Sequence, residues 1–161
     1  GEHGFSLERR MPYEESTKAP LIIKHPSNPN PVSVVDGLVL SIDLAATALD
    51  IADIKIPSTI QGKSLLPLIQ GETEAVRSAA FIEYYSNAKP FPWTAQLDYR
   101  VVVGKRYKYI KWLRFDEAEL YDLVNDPNEQ SNLIHQPAYK DVLDKMKHQM
   151  AELQLKALGL K

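Results

Sequence analysis

The chain has 161 residues, 44% hydrophobic and 25% charged, which is typical of a globular protein with an apolar core. Its formal net charge is -2 without a long basic run, so the sequence gives no support for nucleic-acid binding. It contains no apolar stretch of the roughly 18 residues that a membrane span requires. It has no cysteine, which excludes disulfides, thiolate metal sites and a cysteine nucleophile within these residues.

An apolar run at residues 19–24, Ala-Pro-Leu-Ile-Ile-Lys, is the first predicted element. A short continuous apolar run is typical of a strand that is buried on both faces of a sheet. Such a strand requires parallel neighbours, which the rest of the chain does not supply. We therefore expect it to pair with strands of a larger sheet.

Two helices are predicted next. The first runs from Ser41 to Asp53 and packs on the sheet, with Ser41 as its N-cap and an apolar stripe of Ile42, Ala45, Leu49 and Ala52. The second covers residues 65–70, where Ser64 caps the start and Gly71 ends the helix.

The pattern changes near residue 78 to strands followed by one long helix. The predicted strands are residues 79–85, 99–103, 106–112 and 119–123, and a Gly104-Lys105 pair makes the second and third a hairpin. An amphipathic helix begins near Pro137, and its apolar stripe consists of Tyr139, Val142, Leu143, Met146, Met150, Leu153 and Ala157.

Three groups of motifs occur in order along the chain. The first is Gly-Glu-His-Gly at residues 1–4 with Arg-Arg-Met-Pro-Tyr-Glu-Glu-Ser at residues 9–16. The second is the segment 41–47 with Gln-Gly-Lys-Ser-Leu at residues 61–65. The third is the hairpin strand at 106–110 with Glu-Leu-Tyr-Asp-Leu at 119–123 and Asp126-Pro127. Together they resemble the C-terminal portion of type I sulfatases, members of the alkaline phosphatase superfamily.

The resemblance implies a fragment of a sulfatase-like fold, α/β in its first part and α+β in its second. Residues 1–78 would end the N-terminal α/β sulfatase domain. Residues 79–161 would form a C-terminal subdomain in which a small antiparallel sheet packs on a helix. The implied partners are the missing N-terminal catalytic part of the same protein and a sulfated sugar or small molecule. Analogy with bacterial members suggests a periplasmic or secreted location, which the sequence itself leaves unknown.

Type I sulfatases cleave sulfate esters with a formylglycine hydrate, made from Cys or Ser in a C/S-x-P-x-R motif, and with a divalent cation, usually calcium. This chain contains neither cysteine nor a Ser-x-Pro-x-Arg sequence. The family's metal-binding Asp/Asn pair would lie just upstream of Gly1. The resemblance therefore implies a calcium-dependent parent enzyme, and a chain that carries no cofactor and is inactive alone.

One catalytic contributor is expected within the chain. The family places a sulfate-contacting Lys four residues before the Tyr of its Tyr-Glu motif, and counting back from Tyr13 gives Arg9, with Arg10 as the alternative. A guanidinium can hold two sulfate oxygens, but it is a poor proton donor because it stays charged to about pH 12. Alternatively, both arginines are surface or ion-paired side chains, for instance with Glu14.

Substrate contacts are expected from the loop at residues 86–98 and its flank. Trp93 can stack on a sugar ring, and Lys89 or Arg100 can meet an anionic group. Alternatively, Trp93 covers the core, while Lys89 and Arg100 are solvated or paired within strands. His3 is either a ligand or base, or a turn histidine bonded to the backbone.

Two other functions remain open at this point. The parent can be a phosphodiesterase or phosphonate monoester hydrolase of the same superfamily, which the nucleophile motif and metal-ligand set would distinguish. The chain can also be a non-catalytic binding module. Carbohydrate binding by this chain alone would favour such a module, whereas co-purification with a separate N-terminal chain would favour a split enzyme.

Overall fold

The computed structural model describes residues 3, 10–26, 28, 34–86 and 97–160. The chain divides into two units, one formed by Gly1–Pro20 with Phe81–Lys161 and the other by Leu21–Ala80. Within the described residues, no helix is both long and apolar enough to cross a membrane.

The first unit is built on a four-stranded sheet whose strand order follows the chain. Its strands are β1 (Ala79–Tyr84), β2 (Tyr99–Gly104), β3 (Tyr107–Trp112) and β4 (Ala118–Asp122). Strands β2 and β3 form the predicted antiparallel hairpin, in which Val101 pairs with Ile110. Strand β4 is antiparallel to β3, and Tyr109 pairs with Leu120.

One face of this sheet is covered by the C-terminal helix. A short 3-10 turn at Pro137–Tyr139 leads into this helix, which spans Lys140–Ala157. Apolar side chains of the helix pack on alternate residues of the strands, as its sequence stripe predicts. The buried cluster on this side consists of Val102, Tyr109, Leu120, Leu133, Met146 and Met150.

The opposite face of the sheet receives the N-terminal part of the same unit. Because side chains alternate along a strand, β3 presents Lys108, Ile110 and Trp112 there, and β4 presents Glu119 and Tyr121. We call these five residues the arm-binding face. The arm is residues 10–17, which include helix α1 (Glu14–Thr17).

The second unit contains helices α2 (Asp43–Ile51) and α3 (Leu66–Ile69), so the C-terminal helix is α4. Asp43 is fully buried, and its carboxylate accepts hydrogen bonds from the backbone N–H groups of Leu40 and Lys63 and from the guanidinium of Arg77. A Cβ at Gly62 would overlap the backbone carbonyl of Ile42, so only glycine fits this turn.

Residues 19–24 form no strand in the described structure, and Ile22 is 94% exposed, so their pairing with strands of a larger sheet stays a prediction. For α2, two predictions are wrong. Helix α2 has the predicted location, but its buried side consists of Asp43, Ala46 and Thr47 rather than the apolar stripe. Its N-cap is Ile42 and not Ser41, because the Asp43 carboxylate binds the preceding backbone.

The other predicted elements are present with end points shifted by at most three residues. They include α3, which is followed by Gly71 in the left-handed conformation at φ 74°. The fold class is confirmed, since an antiparallel sheet with a C-terminal helix is observed. The assignment of residues 1–78 to a larger α/β domain stays a prediction.

Candidate functional site

A carboxylate at the centre of the arm-binding face binds the arm. The Glu119 side chain accepts hydrogen bonds from the Tyr13 hydroxyl at 3.2 Å, the Tyr121 hydroxyl at 2.7 Å and the Trp112 indole N–H at 2.6 Å. Tyr13 also packs edge-on against the Tyr121 ring, with centroids 6.4 Å apart. Three donors thus converge on one carboxylate, and one of them belongs to the arm.

A second polar contact holds the arm through buried charges. The Lys108 ammonium lies 2.8 Å from Glu129 Oε1 and 3.0 Å from Glu14 Oε1, and the Lys108 and Glu129 side chains are completely buried. Glu129 Oε2 accepts the backbone N–H of Glu14 at 2.6 Å. Lysine and glutamate are almost never fully buried unless paired, and here each is the other's partner.

Glu129 reaches this site from a turn. Asp126 shapes that turn, because its carboxylate accepts the backbone N–H groups of Gln130 and Ser131. Glu129 itself has φ 53°, in the left-handed region, where a side chain other than glycine, asparagine or aspartate is uncommon. The predicted turn at residues 125–128 is therefore followed by a strained residue whose side chain is directed into the protein.

His3 lies beside the arm. Its ring stacks on Tyr13 with centroids 4.0 Å apart, and its Nε2 is 3.7 Å from Glu15 Oε2. His3, Glu15 and Glu129 offer three ligand atoms within 4.8 Å of one another. The stacking interaction is neither of the two roles considered for this histidine from the sequence.

Burial dominates the ionisation of this region. It raises the pKa of the Tyr13 and Tyr121 phenols well above the usual range, and the neighbouring Glu119 carboxylate adds to the shift. Both tyrosines therefore remain neutral hydrogen-bond donors at all physiological pH values. Burial also raises the pKa of the Glu129 carboxyl, an effect that the Lys108 ammonium opposes.

The predicted sulfate-contacting arginines belong to the segment around the start of the arm. Arg10 is the first residue of the arm and is half-buried, whereas Arg9 lies outside the described residues. Next to Arg10, Met11 is 7% exposed and Pro12 is fully buried. Glu14, the ion-pair partner considered for the arginines, binds Lys108.

Of the predicted substrate-contacting residues, Lys89 and Trp93 lie outside the described residues, and Arg100 is on β2. The Arg100 guanidinium binds Glu83 Oε1 at 2.7 Å and the Tyr85 hydroxyl at 3.1 Å, near the protein surface. Asp98 joins both ends of the 86–98 loop, since its carboxylate accepts the N–H and hydroxyl of Ser86 and is also bound by Arg114.

Sequence reasoning missed the partners of the arm: Lys108, Glu119 and Glu129. A partial signal existed, because Lys108 falls on the same strand face as Ile110 and Trp112, where a lysine in an otherwise apolar row needs a buried acid. Nothing in the sequence identified that acid, since Glu129 is 21 residues further along and lies behind a turn.

Comparison with known proteins identifies the family of this chain. A family profile described as "N-sulphoglucosamine sulphohydrolase, C-terminal" matches residues 1–156. The chain belongs to this family of sulfatase C-terminal domains. The domain is 34% identical over 146 residues to N-acetylglucosamine-6-O-sulfatase of Bacteroides thetaiotaomicron, which covers 86% of this chain and 25% of that protein.

Solved structures agree with this assignment. A structure described as a complex with its substrate D-glucosamine-2-N,6-O-disulfate is 29% identical with a TM-score of 0.63, covering 70% of this domain and 23% of that chain. A phosphonate monoester hydrolase from Silicibacter pomeroyi shares the fold, with a TM-score of 0.67 at 24% identity and coverage of 79% and 27%. This sulfatase C-terminal domain thus spans about a quarter of the length of the relatives that it matches.

Proposed function

We propose that this domain is the C-terminal part of a longer enzyme that hydrolyses sulfate esters. The observation that carries the proposal is the 34% identity, over 86% of the chain, to N-acetylglucosamine-6-O-sulfatase. Because a sulfated aminosugar appears in the names of both this relative and a solved neighbour, sulfated sugars are the substrate class to test first.

The exposed apolar surface supports a larger assembly. Leu21, Ile22 and Ile23 are 42%, 94% and 37% exposed in one continuous run of sequence, and the side chains of Ile42, at the N-cap of α2, and of Leu44 and Ile51 on α2 are exposed too. Exposed apolar side chains of this kind are typical of a segment that packs against other protein. In the proposal, residues 19–24 complete a sheet of the catalytic part, and residues 1–78 end that α/β domain.

The chain's proposed catalytic contribution is a cation. Arg9 contacts the sulfate and stabilises the negative charge that spreads over its oxygens in the transition state. If the family's sulfate-contacting lysine lies three and not four residues before Tyr13, Arg10 has this role. A guanidinium suits this role because its planar fork donates two parallel hydrogen bonds. Protonation of the leaving oxygen falls to another group, because a guanidinium retains its protons.

Among the residues that the structure describes, the candidate metal-binding group does not fit a calcium site. Calcium binds oxygen ligands, whereas the group of His3, Glu15 and Glu129 includes a ring nitrogen, and the Lys108 ammonium lies 2.8 Å from Glu129 Oε1. In the proposal, calcium and formylglycine are therefore held by residues outside this chain.

Substrate selection is proposed for the loop at residues 86–98. Lys89 and Trp93 within it, and Arg100 beside it, would contact the sugar or a second anionic group. The described ends of the loop support this role, because Asp98 binds Ser86 and thereby fixes the distance between them.

The test compares the 161-residue chain with the full-length protein that contains it. Both are assayed against an aryl sulfate, N-acetylglucosamine-6-sulfate and a phosphonate monoester. We expect the full-length protein to release sulfate and the chain alone to show no turnover. Preferential cleavage of the phosphonate would indicate that the parent is a phosphonate monoester hydrolase and not a sulfatase. Sulfate release by the chain alone would contradict the proposal that the catalytic residues lie outside it. Sugar binding by the chain alone, with no turnover by either protein, would instead support a binding module.

A further inference from the structure

We propose that Glu119, Lys108 and Glu129 are positioning residues that fix the arm, and with it the sulfate-contacting arginine, on the C-terminal sheet. The inference rests on the proposed function for the role of the arginine. The attachment of the arm itself rests only on the contacts of the described residues.

The arm is held at two adjacent residues by two separate groups. Tyr13 donates its hydroxyl to Glu119, while Glu14 binds Lys108 through its side chain and Glu129 through its backbone N–H. Because these contacts involve a side-chain hydroxyl, a carboxylate and a backbone amide, they define both the location and the rotation of this short segment. Simple apolar packing would leave the rotation less restricted.

Attaching the arm through buried charges costs more free energy than attaching it through apolar contacts. Transferring Lys108 and Glu129 out of water carries a large desolvation penalty, which apolar side chains of similar volume would avoid. Glu129 also occupies a left-handed conformation that glycine would adopt without strain. Both observations indicate that the Glu129 carboxylate itself is needed at this place, where it binds the Lys108 ammonium and the Glu14 N–H.

The path from these contacts to the arginine is short and restricted. Arg10 lies three positions before Tyr13, and the two residues between them are Met11, which is buried, and Pro12, which is fully buried and has a fixed φ. A shift of the Tyr13 backbone therefore moves the Arg10 backbone with it. In a reaction that depends on electrostatic contacts, a displacement of about 1 Å can reduce the rate roughly a hundredfold.

Tyr13→Phe is the decisive variant, because it removes the hydroxyl that binds Glu119 and keeps the ring that stacks on His3. Tyr109→Phe is the matched control, since Tyr109 is buried on the opposite face of the same sheet against α4. Val142→Ala, on α4, is a second control that lowers stability without altering the arm. Both control side chains lie on the α4 side of the sheet, opposite the arm-binding face.

The first measurement is amide hydrogen exchange in the 161-residue chain. We expect Tyr13→Phe to accelerate exchange of the Glu14 amide roughly tenfold relative to the sheet amides, as loss of one hydrogen bond predicts. The two controls should leave this ratio unchanged. Equal exchange ratios in Tyr13→Phe and the controls would overturn the proposed attachment.

The second measurement is sulfate release by the full-length protein. We expect Tyr13→Phe to lower kcat roughly tenfold with KM changed less than about twofold, because the arginine contact strengthens in the transition state. Val142→Ala should lower the melting temperature and leave kcat unchanged. A faster Glu14 exchange with an unchanged kcat would overturn the positioning role. If the unsubstituted protein releases no sulfate, the proposed function and this role both fail, whereas the exchange result still decides whether the arm is attached.

Discussion

The ammonium of Lys108 and the carboxylate of Glu129 lie 2.8 Å apart, and neither side chain is exposed to solvent. Glu14, on the arm, is the second acid at the same ammonium, 3.0 Å away. The three groups connect β3, the turn after β4 and helix α1. A change in any one of them therefore affects three separate parts of the first unit.

Lys108→Met is expected to destabilise the first unit strongly, because it leaves the buried Glu129 carboxylate without its counter-charge. Breaking a buried ion pair in this way costs about 3–5 kcal/mol. The free energy of unfolding, measured with urea, gives the value directly.

Lys111→Met is the matched control for Lys108→Met, because Lys111 lies on the same strand in an exposed ion pair with Asp116. It should change the free energy of unfolding by less than about 1 kcal/mol. The double variant Lys108→Met/Glu129→Gln should recover part of the loss, since no uncompensated charge remains. Equal losses in Lys108→Met and Lys111→Met would show that the buried pair has no special role.

Gly62→Ala is expected to destabilise the second unit by about 2–3 kcal/mol, because its Cβ would overlap the backbone carbonyl of Ile42. Backbone cannot move aside as a flexible side chain can. Gly159→Ala is the comparison, since its Cβ meets no atom within 4 Å and only its φ of 70° opposes the change. Hydrogen exchange at Ala46 and Thr47 would report the loss in the second unit, and unchanged protection there would contradict this expectation.

The free energy of unfolding is expected to decrease at acidic pH. Burial opposes ionisation of Asp43, but hydrogen bonds from Arg77 and two backbone N–H groups outweigh it and lower the pKa of the carboxyl. Hydrogen bonds from Ser86 lower the pKa of Asp98, and those from Arg106 lower the pKa of Asp122. A lowered folded-state pKa gives stability that is present above the unfolded value, near pH 4, and is lost as the pH falls through the folded values.

The measurement for this expectation is a urea-unfolding series from pH 7 to pH 2. Asp43→Asn should lower stability at neutral pH and flatten the decrease between about pH 4 and pH 2, because one of the titrating groups is gone. A pH profile identical in slope to that of the unsubstituted chain would show that Asp43 contributes nothing to the acid sensitivity.

The variant Arg100→Ala tests whether Arg100 serves only in a surface ion pair or also contacts the substrate. The pair with Glu83 is partly exposed, so its loss should alter the free energy of unfolding by less than about 1 kcal/mol. If Arg100 contacts an anionic group of the substrate, the full-length protein should show a higher KM with kcat nearly unchanged. Glu83→Gln removes the same ion pair without removing the cation, and an equal rise in KM in that variant would argue against the contact.

The second half of the fold was predictable because its contacts are local. Strands β2 and β3 pair across a short turn, and the period of two along β3 separates Tyr107, Tyr109 and Lys111 from Lys108, Ile110 and Trp112. Residues 19–24 were not predictable in the same way, since an apolar run becomes a strand only when neighbours accept its hydrogen bonds. On α2, a buried Asp43 replaced the apolar stripe because Arg77, 34 residues later, neutralises it.

The candidate site was predictable in part. The resemblance identified Tyr13 and Glu14 as part of a family motif. The side chains that bind them could not be identified from the sequence, because they are distant along the chain. Glu119 is 106 residues from Tyr13, and Glu129 is 115 residues from Glu14. Residue periodicity describes one element at a time and contains no information on pairs so far apart.

These separations have a consequence for synthesis of the chain on the ribosome. The arm is made before the carboxylates that bind it, which follow more than a hundred residues later. Until then Tyr13 lacks Glu119 and Glu14 lacks Glu129. Loop closure over such a distance is slow, so docking of the arm is expected to be among the last folding events of this unit, and the newly made arm remains open to chaperones and proteases in the interval.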